Sequence, residues 1–156
     1  MKIELILVSK TKSKEIQACL NDYEQRIKHY SPFSITIIPD LKNTKNLSQE
    51  QIKTAEGEQI LRIFKPGDCV VLLDERGEEF RSVDFAAWIE KKQHAFSRLV
   101  FVIGGAYGFS KAVYERANDK VSLSKMTFSH QLVRLIFLEQ LYRAFTIMRN
   151  EPYHHE

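Results

Sequence analysis

Three short segments, each directly after a predicted apolar strand, carry residue types suited to binding a ligand. They are residues 73–77 (LDERG), 103–108 (IGGAYG) and 123–128 (LSKMTF). Glycines that follow a buried strand let a ligand approach the backbone closely and leave amide groups free to bind it. In α/β sheets, ligands bind beyond the carboxyl ends of the strands. A single short glycine cluster also occurs in ordinary tight turns, so the 103–108 segment alone leaves both interpretations open.

The glycine segment differs from two familiar phosphate-binding motifs. Its order is G-G-x-x-G instead of G-x-G-x-x-G, and it follows the fourth predicted strand instead of the first. Ser124, about 20 residues further on, stands where a dinucleotide-binding fold has an acidic residue. The chain contains no G-x-x-x-x-G-K-[ST] sequence. These differences disfavour a nicotinamide-dependent enzyme and a P-loop NTPase.

Three charged residues interrupt a long apolar segment near the C-terminus, 131–149, which ends at a fourth, Arg149. Glu139 and Arg143 have the i,i+4 spacing of a helical ion pair, whereas Arg134 is not at that spacing from Glu139. Because buried charges are costly unless paired, Arg134 and Arg143 have either a structural role or a role in a site, and the spacing does not decide between them. The segment is apolar around nearly its whole circumference, which favours burial on more than one side. We expect a second copy of the chain to cover one side, in a homodimer.

Potential metal ligands are not suitably spaced. Cys19 and Cys69 lie 50 positions apart and form no C-x-x-C pair. His130, His154 and His155 have no cysteine or carboxylate ligands at a standard spacing, so we expect no metal site. Two of these histidines belong to the polar C-terminal tail (residues 150–156, NEPYHHE), a kind of segment that is often frayed.

Length and composition are those of an ordinary globular protein. The 156 residues predict one domain spanning 1–156, and a hydrophobic share of 44% with a charged share of 28% excludes a disordered or fibrous chain. A net charge of +3 permits a nucleic-acid partner without requiring one. The N-terminal apolar run is too short for a signal peptide, and no segment approaches the roughly 20 apolar residues of a membrane span. We therefore expect a cytoplasmic protein without a membrane partner.

Hydrophobic patterning predicts strands that alternate with helices. Ser13 and Ser48 are predicted N-caps, and Ser48 with Gln51 is predicted to form a capping box. A polar turn is predicted at 75–79 and a solvated loop at 39–46. The alternation indicates an α/β fold with a mostly parallel sheet. The predicted strands are 2–8, 33–38, 69–74, 98–103 and 121–123, and the longest helix is 131–149.

Four blocks of sequence together resemble a known family. The blocks are LLDERG, FVIGGAYGFS, LSKMTFSHQLVRLIFLEQLYRA and NEPYH. In order and spacing they are similar to the ribosomal large subunit methyltransferase H family, which are small SPOUT-class enzymes, and the similarity spans essentially the whole chain. The resemblance implies an α/β fold with a deep C-terminal trefoil knot and a homodimer. It also implies that S-adenosylmethionine is used to methylate N3 of pseudouridine 1915 in 23S rRNA, within the assembled 70S ribosome.

The resemblance further implies roles for particular residues. Two groups are expected to act on the substrate: His130 with Arg134, and Tyr153 with His154 of the tail, which would complete a site on the partner subunit. The family usually has Arg or Lys after P-Y-H, whereas this chain has His155, so the charge expected to meet a phosphate is only partly present at neutral pH. The residues implied to contact S-adenosylmethionine are Leu73, Gly104, Gly105, Ser124, Lys125, Met126, Thr127, Phe128 and Ser129.

Two other functions remain open at the level of the sequence. One is a SPOUT methyltransferase that acts on tRNA or on another base, and the other is a non-catalytic ribosome-binding factor that keeps the fold. A chain this short has no room for an appended RNA-binding domain, which favours a substrate presented by the ribosome. For the chemistry, we hypothesise that His154 assists deprotonation of N3. Alternatively, Arg134 and the helix start near Ser129 stabilise the developing anion, while Tyr153 stacks on the base.

Overall fold

A parallel sheet of five strands crosses the centre of the protein, of which this computed structural model describes residues 1–155. The strand order across the sheet is 2-1-4-3-5 in chain numbering, and every pairing between these strands is parallel. The predicted α/β class is therefore confirmed. The strands are β1 (Lys2–Val8), β2 (Phe33–Ile38), β3 (Cys69–Glu79), β4 (Arg98–Ile103) and β5 (Asp119–Ser122).

Helices cover both faces of this sheet, so its strands are buried on both sides, as their continuous apolar runs predict. On one face, Phe101 of β4 packs on Phe137 with ring centroids 4.8 Å apart. On the other face, the core includes Ile60, Val100 and Val113. No helix within residues 1–155 has the length and apolarity that crossing a bilayer requires. The first face carries α1 (Lys14–Lys28), α3 (Ser82–Ala95) and α5 (His130–Met148), and the second carries α2 (Gln49–Ile63) and α4 (Lys111–Arg116).

Serine caps stand at the start of four of the five helices named above, all but α3. Ser13, Ser48, Ser110 and Ser129 each accept a hydrogen bond from a backbone N–H in the first turn of the helix that follows. At α2 the Gln51 side chain returns the bond to the Ser48 backbone, which confirms the predicted capping box. The cap at Ser129 fixes the start of α5, whose first turn lines the cavity described below.

Other elements of the same chain bury most of the apolar circumference of α5. The helix lies between α1 and α3 and packs on the sheet, so neighbouring elements cover most of it. Its outer side still carries apolar groups: Leu132 is 41% exposed, and Leu135 and Ile136 are half-buried. This side of α5 is therefore left partly uncovered by its own chain.

Strand β3 is longer than the sequence indicates. Residues 75–79 are predicted as a polar turn, but they lie within β3, which ends at Glu79. The reason is a second pairing with β5: Leu73 is opposite Val121, and after a register shift Glu78 is opposite Val121 as well. Backbone pairing with β5 thus overrides the turn preference of a polar, glycine-containing segment, and residues 74–77 bulge at the sheet edge.

We expect Gly77→Ala to destabilise the protein. A Cβ atom at this position would lie 2.6 Å from the Lys120 carbonyl carbon and 2.6 Å from the Val121 nitrogen, both of them backbone atoms. Backbone has little room to move, so overpacking here costs about 2–3 kcal/mol, or a melting temperature lower by roughly 5–10 °C. Thermal unfolding followed by circular dichroism measures this, with exposed Glu78→Ala as the matched control. Equal melting of Gly77→Ala and the unsubstituted protein would contradict the close approach.

Candidate functional site

A cavity of about 500 Å³ opens at the carboxyl ends of β3, β4 and β5. All three segments that the sequence analysis selected contribute to its wall, and the first turn of α5 closes one side. The volume lies within the range of about 300–1,000 Å³ that is usual for small-molecule and cofactor sites. The lining combines glycine backbone with apolar and a few charged side chains, including Leu73, Asp74, Ile103, Gly104, Gly105, Tyr107, Ser124, Phe128 and His130.

Most of the residues implied to bind a cofactor meet at this cavity. Two do not line it: Lys125 is exposed in the 123–129 loop, and Ser129 caps α5 by accepting the Leu132 N–H at 3.2 Å. The residues that line it are Leu73, Gly104, Gly105, Ser124, Met126, Thr127 and Phe128.

The glycine loop depends on glycine at two positions. Gly108 has a φ of +82°, a conformation that other residues rarely adopt, and its N–H donates to the Gly105 carbonyl at 3.2 Å. At Gly105, a Cβ atom would lie 2.8 Å from Oε1 of Glu56 on α2. Burial raises the pKa of the Glu56 carboxyl, and the nearby Asp40 raises it further. The glycine loop therefore lies between α2 and the cavity, in contact with Glu56.

A buried contact that the sequence did not reveal holds the opposite wall. Asp74, whose side chain is 7% exposed, accepts hydrogen bonds from the Arg76 backbone N–H at 2.8 Å and from the Tyr114 hydroxyl. Burial and this hydrogen bond raise the pKa of Tyr114. The two side chains come from β3 and α4, and no local spacing connects them. The only signal in the sequence was the position of Asp74 at the end of a strand.

The third segment leads into the N-terminus of α5. Ser122 donates to the Ser124 carbonyl at 3.0 Å, and Ser124 Oγ accepts the Met126 N–H at 2.9 Å. His130, in the first turn of α5, is exposed and lines the cavity. Since the N-terminus of a helix carries partial positive charge, this end of α5 favours negative charge in the cavity.

Arg134 is buried within one chain, at the side of α5 that faces the end of β1. It is 2% exposed, and its guanidinium donates to the Val8 carbonyl at 2.7 Å and to Thr11 Oγ1 at 2.9 Å. Burial lowers its pKa, and among residues 1–155 no carboxylate lies within ion-pair distance of it. Its observed contacts hold the loop between β1 and α1.

The described part of the C-terminal tail packs on α5 instead of fraying. The Tyr153 hydroxyl donates to Glu139 Oε1 at 3.0 Å, and the Arg143 guanidinium lies 4.8 Å from the centroid of the Tyr153 ring. Arg143 Nη1 is also 3.1 Å from His154 Nδ1. Arg143 and Glu139 form the predicted i,i+4 ion pair.

These contacts hold the tail far from the cavity of its own chain. Arg143 is 13 positions after His130 on α5, which is about 20 Å along the helix axis. Tyr153 and His154 are therefore not brought together with His130 within one chain. As for metals, residues 1–155 contain no group of three or more His, Cys, Asp or Glu side chains arranged to hold an ion.

Comparison with known proteins identifies the family. A family model described as "Predicted SPOUT methyltransferase" matches residues 1–154. The ribosomal RNA large subunit methyltransferase H of Phocaeicola vulgatus is 60% identical over the full length of both chains. The proteins of the same name from Parabacteroides distasonis and Christiangramia forsetii are 58% identical over 100% of both chains and 56% identical over 99% of both. The chain therefore belongs to the SPOUT methyltransferase family.

Proposed function

We propose that this protein transfers a methyl group from S-adenosylmethionine to N3 of pseudouridine 1915 in 23S rRNA, within the assembled 70S ribosome and in the cytoplasm. The observation that carries the proposal is the joining of three strand-end segments into one cavity of about 500 Å³, bordered by glycines. Its relatives with full-length similarity are named ribosomal RNA large subunit methyltransferase H, which supports the choice of substrate.

The cavity suits S-adenosylmethionine in size and in the chemistry of its wall. Gly104 and Gly105 leave backbone exposed where a side chain would collide with Phe109 or Glu56. Leu73 and Ile103 offer apolar surface for a flat base, and the backbone of the glycine loop and the N-terminus of α5 offer polar groups beside it. When bound, S-adenosylmethionine supplies an electrophilic methyl group.

The residues of the chain then have to orient the target base and manage one proton. N3–H of pseudouridine is a weak acid, and its anion is the better nucleophile. His154 takes this proton, and Tyr153 stacks on the base. The N-terminus of α5, beside His130, stabilises the charge that develops on the base. Arg134 acts as a positioning residue for the loop after β1, because its guanidinium donates hydrogen bonds to the Val8 carbonyl and to Thr11.

The active site is shared between two copies of the chain. Within one chain the tail is about 20 Å along α5 from the cavity, so His154 reaches a cavity only when a two-fold partner brings it there. The exposed apolar side of α5, with Leu132 and Ile136, is suited to lie in that interface. The C-terminal part of the chain forms the deep trefoil knot of the family.

Titration calorimetry with S-adenosylmethionine tests the cofactor assignment. We expect saturable binding, competition by S-adenosylhomocysteine, and no heat from ATP or NAD at the same concentration. ATP and NAD are the controls, since both share the adenosine group but lack the methionine portion. Failure to bind S-adenosylmethionine would contradict methyl transfer and favour a ribosome-binding factor that keeps only the fold.

A further inference from the structure

Five lysines lie on two loops next to the cavity. We call these segments the basic rim; they are residues 9–14, from the end of β1 to the first residue of α1, and residues 41–48, before α2. Neither segment contains Asp or Glu. All five lysines are exposed: Lys10, Lys12, Lys14, Lys42 and Lys45.

The two loops of the basic rim leave the sheet side by side. β1 and β2 pair in parallel up to Val8 and Ile38, so both loops start at the same edge of the sheet. Ser9 donates a hydrogen bond to the Asp40 carboxylate, which ties the first loop to the residue just before the second. β1 also pairs with β4, whose end begins the glycine loop of the cavity. The basic rim and the cavity thus occupy one continuous edge.

The start of α5 joins the rim to the cavity wall. Gln131 Oε1 accepts the Lys12 N–H at 2.6 Å, and Arg134 donates to Thr11 and to the Val8 carbonyl. Gln131 directly follows His130, which lines the cavity. The position of the 9–14 loop is therefore fixed by the same helical turn that closes the site.

Charge is concentrated on this edge. The formal net charge of the whole chain is +3, which is less than the five positive charges of the rim, so the remainder of the molecule is net negative. A polyanion is attracted to a cluster of five exposed lysines, which Asp40 and Glu15 beside it offset only in part. Lysine is a point charge on a flexible stem, suited to phosphate groups without reading base identity.

We propose that the basic rim binds the sugar–phosphate backbone that flanks the target nucleotide, and so delivers the RNA strand to the cavity. The inference deepens the proposed function and rests on it, since it takes RNA as the substrate. It assigns the rim a binding role only, with no part in holding S-adenosylmethionine.

Two triple variants with the same change in charge provide the test. Lys10→Ala, Lys12→Ala and Lys42→Ala remove three charges from the rim. The control set, Lys2→Ala, Lys65→Ala and Lys91→Ala, removes three exposed charges near the opposite edge, where β1 and β3 begin. Binding to 70S ribosomes is measured by sedimentation between roughly 50 and 200 mM salt, because lost phosphate contacts reduce the salt dependence.

We expect the rim variant to bind about ten- to a hundredfold more weakly, with a log–log salt slope smaller by about 2. The control set should stay within about twofold of the unsubstituted protein, and calorimetry should show equal S-adenosylmethionine binding in all three. Equal losses in the two sets would overturn the proposal, as would ribosome binding without salt dependence. If the unsubstituted protein bound ribosomes without transferring a methyl group, the proposed function would be contradicted. The salt slopes of the rim variant and of the control set would still decide whether the rim binds RNA.

Discussion

Gly105→Ala is expected to weaken S-adenosylmethionine binding at least tenfold. The new Cβ atom would lie 2.8 Å from Oε1 of Glu56 and 3.3 Å from its Cδ. The collision is relieved by a turn of the half-buried Glu56 side chain or by a shift of the glycine loop toward the cavity, and the expected loss of binding comes from the shift of the loop. Tenfold corresponds to about 1.4 kcal/mol of binding free energy, which titration calorimetry resolves readily.

A second substitution separates this collision from a general loss of structure. Glu56→Ala removes the carboxylate, so the double variant with Gly105→Ala has room for the added methyl group. We expect the double variant to bind S-adenosylmethionine within about threefold of Glu56→Ala alone, a departure from additivity that only neighbouring groups produce. Tight binding by Gly105→Ala, or no relief in the double variant, would contradict a shift of the glycine loop caused by the collision with Glu56.

Removing the tail side chains should abolish the chemistry while leaving the cofactor bound. We expect the combined variant Tyr153→Ala and His154→Ala to lower the single-turnover rate on 70S ribosomes by about a hundredfold or more, the range for a lost proton-transfer group. S-adenosylmethionine binding should change by less than about twofold, because the tail side chains are assigned to the target base and none of the residues that line the cavity lies in the tail. Exposed His29→Ala, near the opposite edge of the sheet, is the matched histidine control.

Mixed dimers show whether the tail acts on the partner. Co-expression of the tail variant with Gly105→Ala gives some dimers in which an intact cavity faces an intact tail from the other subunit. At a cofactor concentration that leaves Gly105→Ala mostly unbound, we expect about a quarter of the unsubstituted activity, since half of the dimers are mixed and each has one complete site. Activity no higher than the average of the two parent variants would mean that tail and cavity act within one chain.

What the sequence predicted correctly depends on short-range signals and on one general rule. The capping box joins Ser48 and Gln51, which are three positions apart, so the local pattern was sufficient. The meeting of the 73–77, 103–108 and 123–128 segments followed from parallel strands, because their carboxyl ends share one edge.

What the sequence did not predict depends on contacts between distant residues. Residues 75–79 continue β3 only because they pair again with β5, about 43 positions away in the chain. Arg134 is buried because Val8 and Thr11, more than 120 residues earlier, accept its hydrogen bonds. Asp74 and Tyr114 meet across two elements. No periodicity within a segment records such pairs.

Methyl transfer itself is the most direct test of the proposed activity. Ribosomes from a strain that lacks this protein are incubated with it and with methyl-labelled S-adenosylmethionine, beside naked 23S rRNA and tRNA, and the labelled nucleoside is identified by mass spectrometry. We expect N3-methylated pseudouridine from 70S ribosomes and none from naked 23S rRNA or tRNA. Label in tRNA alone would contradict the ribosomal substrate, and no label in any of the three, with the cofactor bound, would contradict methyl transfer to these RNAs.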